Sequence, residues 1–585
     1  MFRLRHLVGF LLIFCFACNS EPDRSNDGEK LHSSFARFQQ TFLDSFWKNN
    51  PAYAIYVGYG KYYENLKVPD SAAFSKDVAF ANAWLDSLED YDYDNLNGDD
   101  KINYNIIRNK LQSNIWYIDT FKAWQWNPAQ YNIGTECNGI LNQTGVSLNT
   151  KLSTLSKHLQ YTDAYFSAAI KNIKAPTKEH SELAIQQNKG ALQVFGASLI
   201  DSISLATLTA VEKDTLLYRI EATKAAINNY VSFLNNKLAD SATQFRDFRI
   251  GSEWYKTKFY YDLVTDISPE DLYAKAIEAK KNYHREMYRI ASDLWPKYNE
   301  GVSKPGDSLQ LTKTIIDKVS LQHVSPQNLM DTIKRQVSRL EAFIIQKDLF
   351  NYDTTYPLEV RTTPAYASGI ALASANFPPP YQKTSVAYYN IDDLTKAPPE
   401  KSESQLREHN NYMLQILSIH EAMPGHCLQG VYNSKNQSGI VKSVFQNGAM
   451  IEGWAVYVER MMLEHGWGNN EPELWLMFYK WSLRECSNVI VDYGLHCLNF
   501  SKDDILKLLV KEAFQEPAQV EEKYRRARLS QVQLCSYFNG ATDILALKDA
   551  YQKERAKDFT IKDFHERFLS YGSAPVKYIR ELMLQ

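Results

Sequence analysis

The sequence predicts a mostly α-helical protein that contains one small β-sheet. Two observations lead to this fold class. Helix-capping patterns recur from about residue 31 to the C-terminus, and one proline-rich stretch over 357–400 has the composition of strands and turns. The 585-residue chain is 44% apolar and 23% charged, and its 65 basic side chains nearly balance 68 acidic ones. This composition excludes disordered, collagen-like and coiled-coil proteins, and it provides no basic surplus for binding nucleic acid.

The N-terminus is typical of a bacterial export signal. Two arginines precede an apolar run over 7–16, which is too short to span a membrane as a helix. We expect a signal peptide over 1–18 with lipoprotein-type cleavage before Cys18 and lipid attachment to that cysteine; cleavage of a plain secretory signal nearby is the alternative. Residues 19–30 are predicted to form a flexible tether. The mature protein would then be anchored in the cell envelope, in the periplasm or on the cell surface.

The rest of the chain is predicted to form one large helical domain, with a mainly helical N-terminal part over 31–260 and a catalytic part over 261–585. Ser268-Pro269 opens a helix that lasts to about Pro296, because serine is a favoured N-cap and proline fits the first helical position. The same kinds of pattern open further helices at Ser325-Pro326, at Ser501 with Asp504 and at Thr560 with Asp563.

Residues 357–400 are the exception to the helical pattern. They contain small and β-branched residues and three consecutive prolines, which favour short strands and turns. The best strand candidate is 384–391, and we expect a small sheet here that borders an active-site cleft. Tyr389 and Asn390 would line that cleft, where an extended peptide could pair with the strand. A purely structural hairpin is the alternative.

The segment HEAMPGH over 420–426 is the strongest chemical signal in the sequence. In the zinc-binding pattern H-E-x-x-H, two histidines four residues apart share one helix face. Here the second histidine is six residues on, and six residues rotate an ideal helix by about 600°, so a regular helix would point the imidazoles apart. Pro424 lacks an N–H and Gly425 accepts unusual backbone angles, so we predict that this dipeptide bulges out and restores the spacing. A helix that ends at Met423, with two unrelated histidines, is the alternative.

A second cluster, NGAMIEGWAVYVE, spans 447–459. Its Glu452 stands 26 residues beyond His426, which lets a loop return a second helix alongside the first. A carboxylate there could complete a His2Glu zinc set with one position open for water. Gly453 would permit close approach of helices. Glu459, seven residues further on, could accept a hydrogen bond from a ligand histidine, and a solvated surface acid is the alternative.

HEAMPGH and EGWAVYVE together resemble a bacterial family designated domain of unknown function 885, whose members carry H-E-x-x-P-G-H and E-G-W-A and are similar to helical gluzincin peptidases. The resemblance runs from the FPPPY segment to the C-terminus, and the first 250 residues match only in helical character. It implies a helical zincin-like fold with His420, His426 and Glu452 as zinc ligands and Glu421 as the general base. Many members have a further histidine directly after the motif, where this chain has Cys427, predicted to be a buried apolar residue.

Two later stretches also match the family. The segment 481–498 is mostly apolar but carries a polar stripe at four-residue steps, formed by Arg484, Asn488, Asp492 and His496. Similar peptidase folds use a histidine or tyrosine on later helices to hold the oxyanion, so the resemblance implies His496, or Tyr537 of the QLCSYFNG segment, as a catalytic residue. Arg484 is a candidate carboxylate clamp, and a structural network of Arg484 with Asp492 is the alternative.

These motifs predict a zinc-dependent hydrolase of the cell envelope, in particular a metallopeptidase with one zinc ion. Zinc would lower the pKa of a bound water, Glu421 would take its proton, and the metal with His496 or Tyr537 would stabilise the developing negative charge. Peptides or oligopeptides are the expected substrates, and the membrane is the expected partner of the lipid anchor. A zinc hydrolase of another amide or ester, and a non-catalytic binding lipoprotein, are the alternatives.

Overall fold

The structure is a computed structural model that describes residues 24–352, 358–364, 372–382, 386–435 and 439–585. The predicted signal peptide and Cys18 lie outside the described residues. The first helix, α1 (Arg24–Asn49), includes the last seven residues of the range predicted to be a tether. These residues are helical because they continue the helix that carries the buried Phe35 and Phe42 into the core.

The described chain is mostly helical, as predicted. The N-terminal part and the region after it contain α1, α2 (Pro51–Tyr56), α3 (Ser71–Glu89), α4 (Gly98–Trp116), α5 (Ala123–Trp126), α6 (Gly134–Leu141), α7 (Leu148–Leu159), α8 (Thr162–Asn172), α9 (Lys178–Ala191), α10 (Ala197–Leu205), α11 (Ala210–Ala239), α12 (Gly251–Leu263), α13 (Pro269–Tyr298), α14 (Ser308–Val319) and α15 (Leu329–Gln346). After the sheet follow α16 (Pro399–Glu408), α17 (Met413–Glu421), α18 (His426–Lys435), α19 (Ile440–Val444), α20 (Gly448–Glu464), α21 (Pro472–Cys497), α22 (Lys502–Leu506), α23 (Pro517–Leu529), α24 (Ser536–Arg555), α25 (Ile561–Ser570) and α26 (Val576–Met583). None of the helices among these residues is long and apolar enough to cross a membrane.

The predicted helix starts agree with the structure. The Ser268 side chain accepts the N–H of Asp271 at the start of α13, which ends two residues beyond Pro296. Ser501 and Asp504 form a reciprocal capping box on α22, and Thr560 caps α25. Each of these side chains satisfies an N–H that has no partner within its own helix. Ser325-Pro326 opens a 3-10 turn that leads into α15.

The small sheet lies where the sequence predicts it, but the strand expected to line the cleft is the central one. Strands β1 (Leu358–Thr362), β2 (Ala373–Asn376) and β3 (Ala387–Ile391) have the order β1-β3-β2, with β1 parallel and β2 antiparallel to β3. Because β3 is paired on both sides, it has no free edge for a peptide. Tyr389 is fully buried, with its hydroxyl 3.4 Å from that of Ser418, and Asn390 accepts the Nε–H of Arg361 at 2.8 Å. The predicted cleft-lining role of these two residues is therefore wrong.

The N-terminal helices share a continuous apolar core with the part that carries the motifs. Phe46 and Trp47 of α1 pack against Phe445, with ring centroids 5.2 and 5.8 Å apart, and the Tyr53 hydroxyl donates to the carbonyl of Val444 at 2.6 Å. These contacts fix the chain that leads into α20, so the N-terminal part helps to position the helix that carries Glu452.

Helix α20 is also held by an unusually close crossing with α24. A Cβ placed on Gly453 would lie 2.3 Å from the carbonyl carbon of Gly540, and one placed on Gly540 would lie 1.7 Å from the carbonyl oxygen of Ala449. The predicted close approach at Gly453 is thus made to the helix of the QLCSYFNG segment. The two sequence motifs meet backbone to backbone, and this crossing sets the position of α20 relative to Tyr537.

We expect Gly453→Ala to destabilise the protein by about 1–3 kcal/mol or more, because backbone atoms cannot move aside as a flexible side chain can. Denaturant unfolding followed by circular dichroism measures the change. Gly448→Ala on the same helix is the matched control, since a Cβ there meets no atom within 4 Å in the part of the chain that the structure describes. Equal unfolding midpoints for both variants would contradict the packing argument.

Candidate metal centre

The helix of the HEAMPGH segment is interrupted at the Pro–Gly dipeptide. Helix α17 ends at Glu421 and α18 begins at His426, and the Met423–Pro424 peptide bond between them is cis. The Gly425 N–H donates to the carbonyl of Ile419 at 2.9 Å, and a Cβ at Gly425 would lie 1.8 Å from the carbonyl oxygen of His420. Only glycine fits this turn. The chain therefore leaves the helix where the sequence predicts, and the second histidine returns toward the first.

The three predicted ligands converge. The rings of His420 and His426 have centroids 4.9 Å apart, and their Nε2 atoms lie 3.7 and 3.5 Å from the same oxygen of Glu452. One donor atom from each residue lies within 4.8 Å of the other two. Ligands at about 2.0–2.1 Å from one tetrahedral ion would be about 3.4 Å from each other, so these donors are close to the spacing that zinc requires. Two imidazoles and one carboxylate also leave a fourth position for water.

The electrostatics of this triad favour a cation. Burial alone would raise the pKa of Glu452, but contact with His420 and His426 holds it well below its usual value. Burial alone would lower the pKa of His420, but Glu452 and Glu459 raise it well above its usual value. The carboxylates thus stabilise positive charge at this point, whether a proton or a metal ion supplies it.

Glu459 holds His420 in place. Its fully buried carboxylate accepts the Nδ1–H of His420 at 2.6 Å and the indole N–H of Trp481 at 3.0 Å, so the alternative of a solvated surface acid is wrong. This contact leaves Nε2 of His420 to face Glu452, which is the tautomer that a metal ligand needs. Sequence reasoning missed a further acid here: burial and the charge of Glu459 raise the pKa of Glu485 well above its usual value. Glu485 stands one helical turn after Trp481, and this spacing could have indicated that the two side chains share a helix face.

The carboxylate of Glu421 is oriented by the sheet. The backbone N–H of Ala375 in β2 donates to Glu421 Oε2 at 3.0 Å. Strand β2 pairs with β3 on one side only among the described residues, so this N–H is free to point toward the site. The edge that borders the site is therefore β2 rather than the predicted 384–391 strand.

Trp454 connects the second motif to the first. Its indole N–H donates to the carbonyl of Pro424 at 3.0 Å, and its fully buried ring stacks on Phe568 with centroids 5.6 Å apart. The residue two positions after Glu452 therefore fixes the turn that positions His426. Cys427, directly after that turn, is fully buried and burial raises the pKa of its thiol well above the usual value, as expected for an apolar residue.

A cavity of about 490 Å³ opens beside the triad. It lies between α17, α21, α23, α24 and β2, and its volume is in the range of small-molecule sites. His420 and Glu421 line it, and so do three residues predicted from the later stretches, Arg484, Asn488 and Tyr537.

His496 and Asp492 do not line this cavity. His496 donates its Nε2–H to the carbonyl of Ala527 at 3.0 Å, and Asp492 accepts the hydroxyl of Tyr255 at 2.6 Å. Each four-residue step turns a helix by about 40° and advances it by about 6 Å, so the stripe leaves the site within three steps. His496 as oxyanion holder is therefore wrong. The alternative network of Arg484 with Asp492 is also wrong, because Arg484 lies over the ring of Trp481, 5.2 Å from its centroid.

Comparison with known proteins identifies the family. Residues 51–583 match the model of DUF885, described as bacterial protein of unknown function. The chain belongs to the DUF885 family. The match includes most of the N-terminal helices, where the sequence resemblance was limited to helical character. No curated protein matches the chain.

Two solved structures are similar to this DUF885 chain. A proposed lipoprotein of unknown function from Shewanella oneidensis is 42% identical, with a TM-score of 0.88 over 94% of this chain and 100% of that one. A proposed lipoprotein from Colwellia psychrerythraea is 16% identical, with a TM-score of 0.75 over 94% of this chain and 98% of that one. The second likeness concerns the fold alone.

We expect the affinity of the triad for zinc to increase as the pH rises above about 6.5, the usual pKa of histidine, because a proton on His420 competes with the metal and the pKa of His420 is raised. Glu459→Gln should weaken zinc binding by about 10- to 100-fold and flatten this pH dependence, since an amide no longer stabilises the protonated imidazole. Competition with a chromophoric chelator measures both effects. Glu464→Gln, at an exposed position on the same helix, is the matched control. A zinc affinity that does not change with pH would contradict this account.

Proposed function

We propose that the protein is a zinc-dependent hydrolase with a zincin-like, gluzincin-type site, and that it cleaves peptide bonds. The observation that carries the proposal is the convergence of His420, His426 and Glu452 beside a carboxylate, Glu421, that faces a cavity. Zinc held by the three ligands would supply Lewis acidity to a bound water and to a substrate carbonyl. The order of the ligands along the chain, two from a histidine segment and a glutamate from a following helix, supports the gluzincin type.

Glu421 is the general base in this proposal. The Ala375 N–H holds one of its carboxylate oxygens, so the carboxylate has a fixed orientation at the cavity wall. It takes a proton from the attacking water and returns one to the leaving amine, which is how a single carboxylate completes hydrolysis of an amide.

Tyr537 is the candidate oxyanion donor, because it lines the same cavity and His496 does not. Its phenol O–H can donate to the oxygen on which negative charge develops. Tyr537 stands three residues before Gly540 on α24, and Glu452 stands one residue before Gly453 on α20. The close crossing of the two helices at these glycines therefore keeps Tyr537 at a constant position relative to Glu452.

We also propose that the mature protein is attached to the cell envelope through lipid on Cys18. The N-terminal pattern supports this location, and so does the similar structure from Shewanella oneidensis, which is described as a proposed lipoprotein. A peptidase in this compartment would meet peptides outside the cytoplasm.

Zinc content tests the ligand assignment. We expect the purified mature protein to contain about one zinc ion per chain and His426→Ala to lose most of it, because two ligands and a water hold zinc poorly. Elemental analysis after gel filtration measures the content. His465→Ala is the matched control, since that ring donates to the carbonyl of Met461 and lies outside the triad. Equal zinc in the wild type and in His426→Ala would end the assignment.

Turnover tests the role of Glu421. Glu421→Gln should retain zinc and lose peptide cleavage by about 100- to 10,000-fold, because the amide cannot accept the proton of the attacking water.

Tyr537→Phe should lower kcat by about 10- to 1,000-fold with little change in KM, since the hydrogen bond of Tyr537 forms in the transition state. A library of peptides with mass-spectrometric detection measures both. If the wild type cleaves no peptide, and Glu421→Gln loses cleavage of esters or other amides, the alternative hydrolase is favoured instead. Unchanged activity of Glu421→Gln would exclude this mechanism.

A further inference from the structure

Three basic residues line the cavity beside the triad. Arg484 of α21 and Lys523 and Arg526 of α23 all line it. None of the ion pairs formed among the described residues includes any of the three. Arg484 lies over the ring of Trp481, and Arg526 donates to the side chain of Gln533 at 2.6 Å. The cavity therefore has three basic side chains without a carboxylate partner in the described chain.

Lys523 is the most informative of them. It is only 8% exposed, and its Nζ has no hydrogen-bond partner in the part of the chain that the structure describes. Burial, with the charges of Arg484 and Arg526, holds its pKa well below the usual value. A buried amine without a partner is costly, and an incoming anion would satisfy it.

The acids near this wall do not neutralise it. Glu408 is already paired with Lys480 at 2.7 Å, and both of these residues are buried. Burial and the charge of Glu459 raise the pKa of Glu485 well above its usual value, which favours its neutral form. Glu522 lines the cavity but is exposed to solvent, where its charge is screened. None of these acids therefore forms an ion pair with Arg484, Lys523 or Arg526 among the described residues.

Neutral hydrogen-bonding groups complete the wall. Gln515 is 4% exposed, and neither its amide nitrogen nor its amide oxygen has a partner within the described residues. It lines the same cavity. A carboxylate accepts several hydrogen bonds at once, so an amide N–H beside the Lys523 amine and a guanidinium suits it, and the bound anion would favour the protonated form of that amine.

We propose that this cationic wall, formed by Arg484, Lys523 and Arg526, binds the C-terminal carboxylate of a peptide substrate, and that the protein is a carboxypeptidase-type exopeptidase. This inference rests on the function proposed above. The cavity of about 490 Å³ contains both the wall and the Glu421 carboxylate, so the anion and the scissile bond would share one small space. That volume is in the range that accommodates a ligand of a few residues.

The reaction is ordinary hydrolysis. One water adds across the peptide bond: its oxygen bonds to the carbonyl carbon as the carbon–nitrogen bond breaks, and a proton goes to the leaving nitrogen. The products are a shortened peptide with a new carboxylate and a released C-terminal amino acid or short peptide, whose original carboxylate is the group held by the wall.

Two libraries of N-acetylated tetrapeptides test the inference, one with free C-termini and one with C-terminal amides. We expect wild-type kcat/KM to be at least about tenfold higher for the free acids. Lys523→Met and Arg484→Met, in the zinc-loaded protein, should each lower this ratio by about tenfold or more, chiefly through KM. Arg525→Met is the matched control on the same helix, because Arg525 is exposed and donates to Gln186, and it should keep the ratio.

A binding measurement checks the same preference without turnover. Glu421→Gln, loaded with zinc, should bind N-acetyl-tetraalanine with a free C-terminus at least about tenfold more tightly than its amide by calorimetry, and Glu421→Gln with Lys523→Met should lose this difference. An amidated peptide that ends in glutamate is the third probe. If this amidated peptide binds as tightly as the free acid, the wall binds an acidic side chain as well as a C-terminal carboxylate, and the exopeptidase assignment is overturned.

The remaining outcomes separate the two proposals. Equal cleavage of free and amidated libraries would overturn the carboxylate wall and leave the peptidase proposal standing. No cleavage of either library by a zinc-loaded protein would overturn both. Retention of the free-acid preference by Lys523→Met and by Arg484→Met would remove these residues from substrate recognition.

Discussion

The absence of a side chain at Gly425 is the constraint on which the site depends. The Gly425 N–H donates to the carbonyl of Ile419, and the turn closes so tightly that a Cβ on Gly425 would lie 1.8 Å from the carbonyl oxygen of His420. A helix continued through this point would carry His426 away from His420. The turn instead brings the two imidazoles to one oxygen of Glu452, and everything proposed about metal chemistry follows from that meeting.

Helix α20 then fixes the turn, the ligand and the neighbouring helix at once. Within three consecutive residues, Glu452 faces the imidazoles, Gly453 packs against α24, and Trp454 donates to the carbonyl of Pro424. A movement of α20 would therefore disturb all three of these contacts. Two turns later Glu459 holds the far side of His420. This arrangement keeps the donors in place before any ion binds, which reduces the ordering cost of binding.

The parts of the structure that the sequence predicts are those set by local spacing. Capping at Ser268 and Ser501 depends on residues three positions apart, and the bulge at Pro424 depends on what proline and glycine permit, so both could be read from the sequence. The failures involve long-range placement. The stripe that ends at His496 leaves the cavity because a helix turns by about 40° with every four residues, and the position of β3 within the sheet depends on pairing partners distant in sequence. Lys523 belongs to no sequence motif. It stands out only because its buried amine has no hydrogen-bond partner among the described residues, which the sequence does not indicate.

The charge distribution of the cavity connects the two proposals. Glu421 and His420 line the cavity, and so do Arg484 and Lys523, which have no carboxylate partner among the described residues. Opposite charges in one protein would ordinarily pair directly, as Glu408 and Lys480 do nearby at 2.7 Å. In this cavity the proposed metal centre at His420 would hold a cation, and the basic side chains would hold an anion, so the ligand that suits both carries its negative charge on the basic side. A peptide with a free C-terminus, bound beside a metal ion, has this polarity.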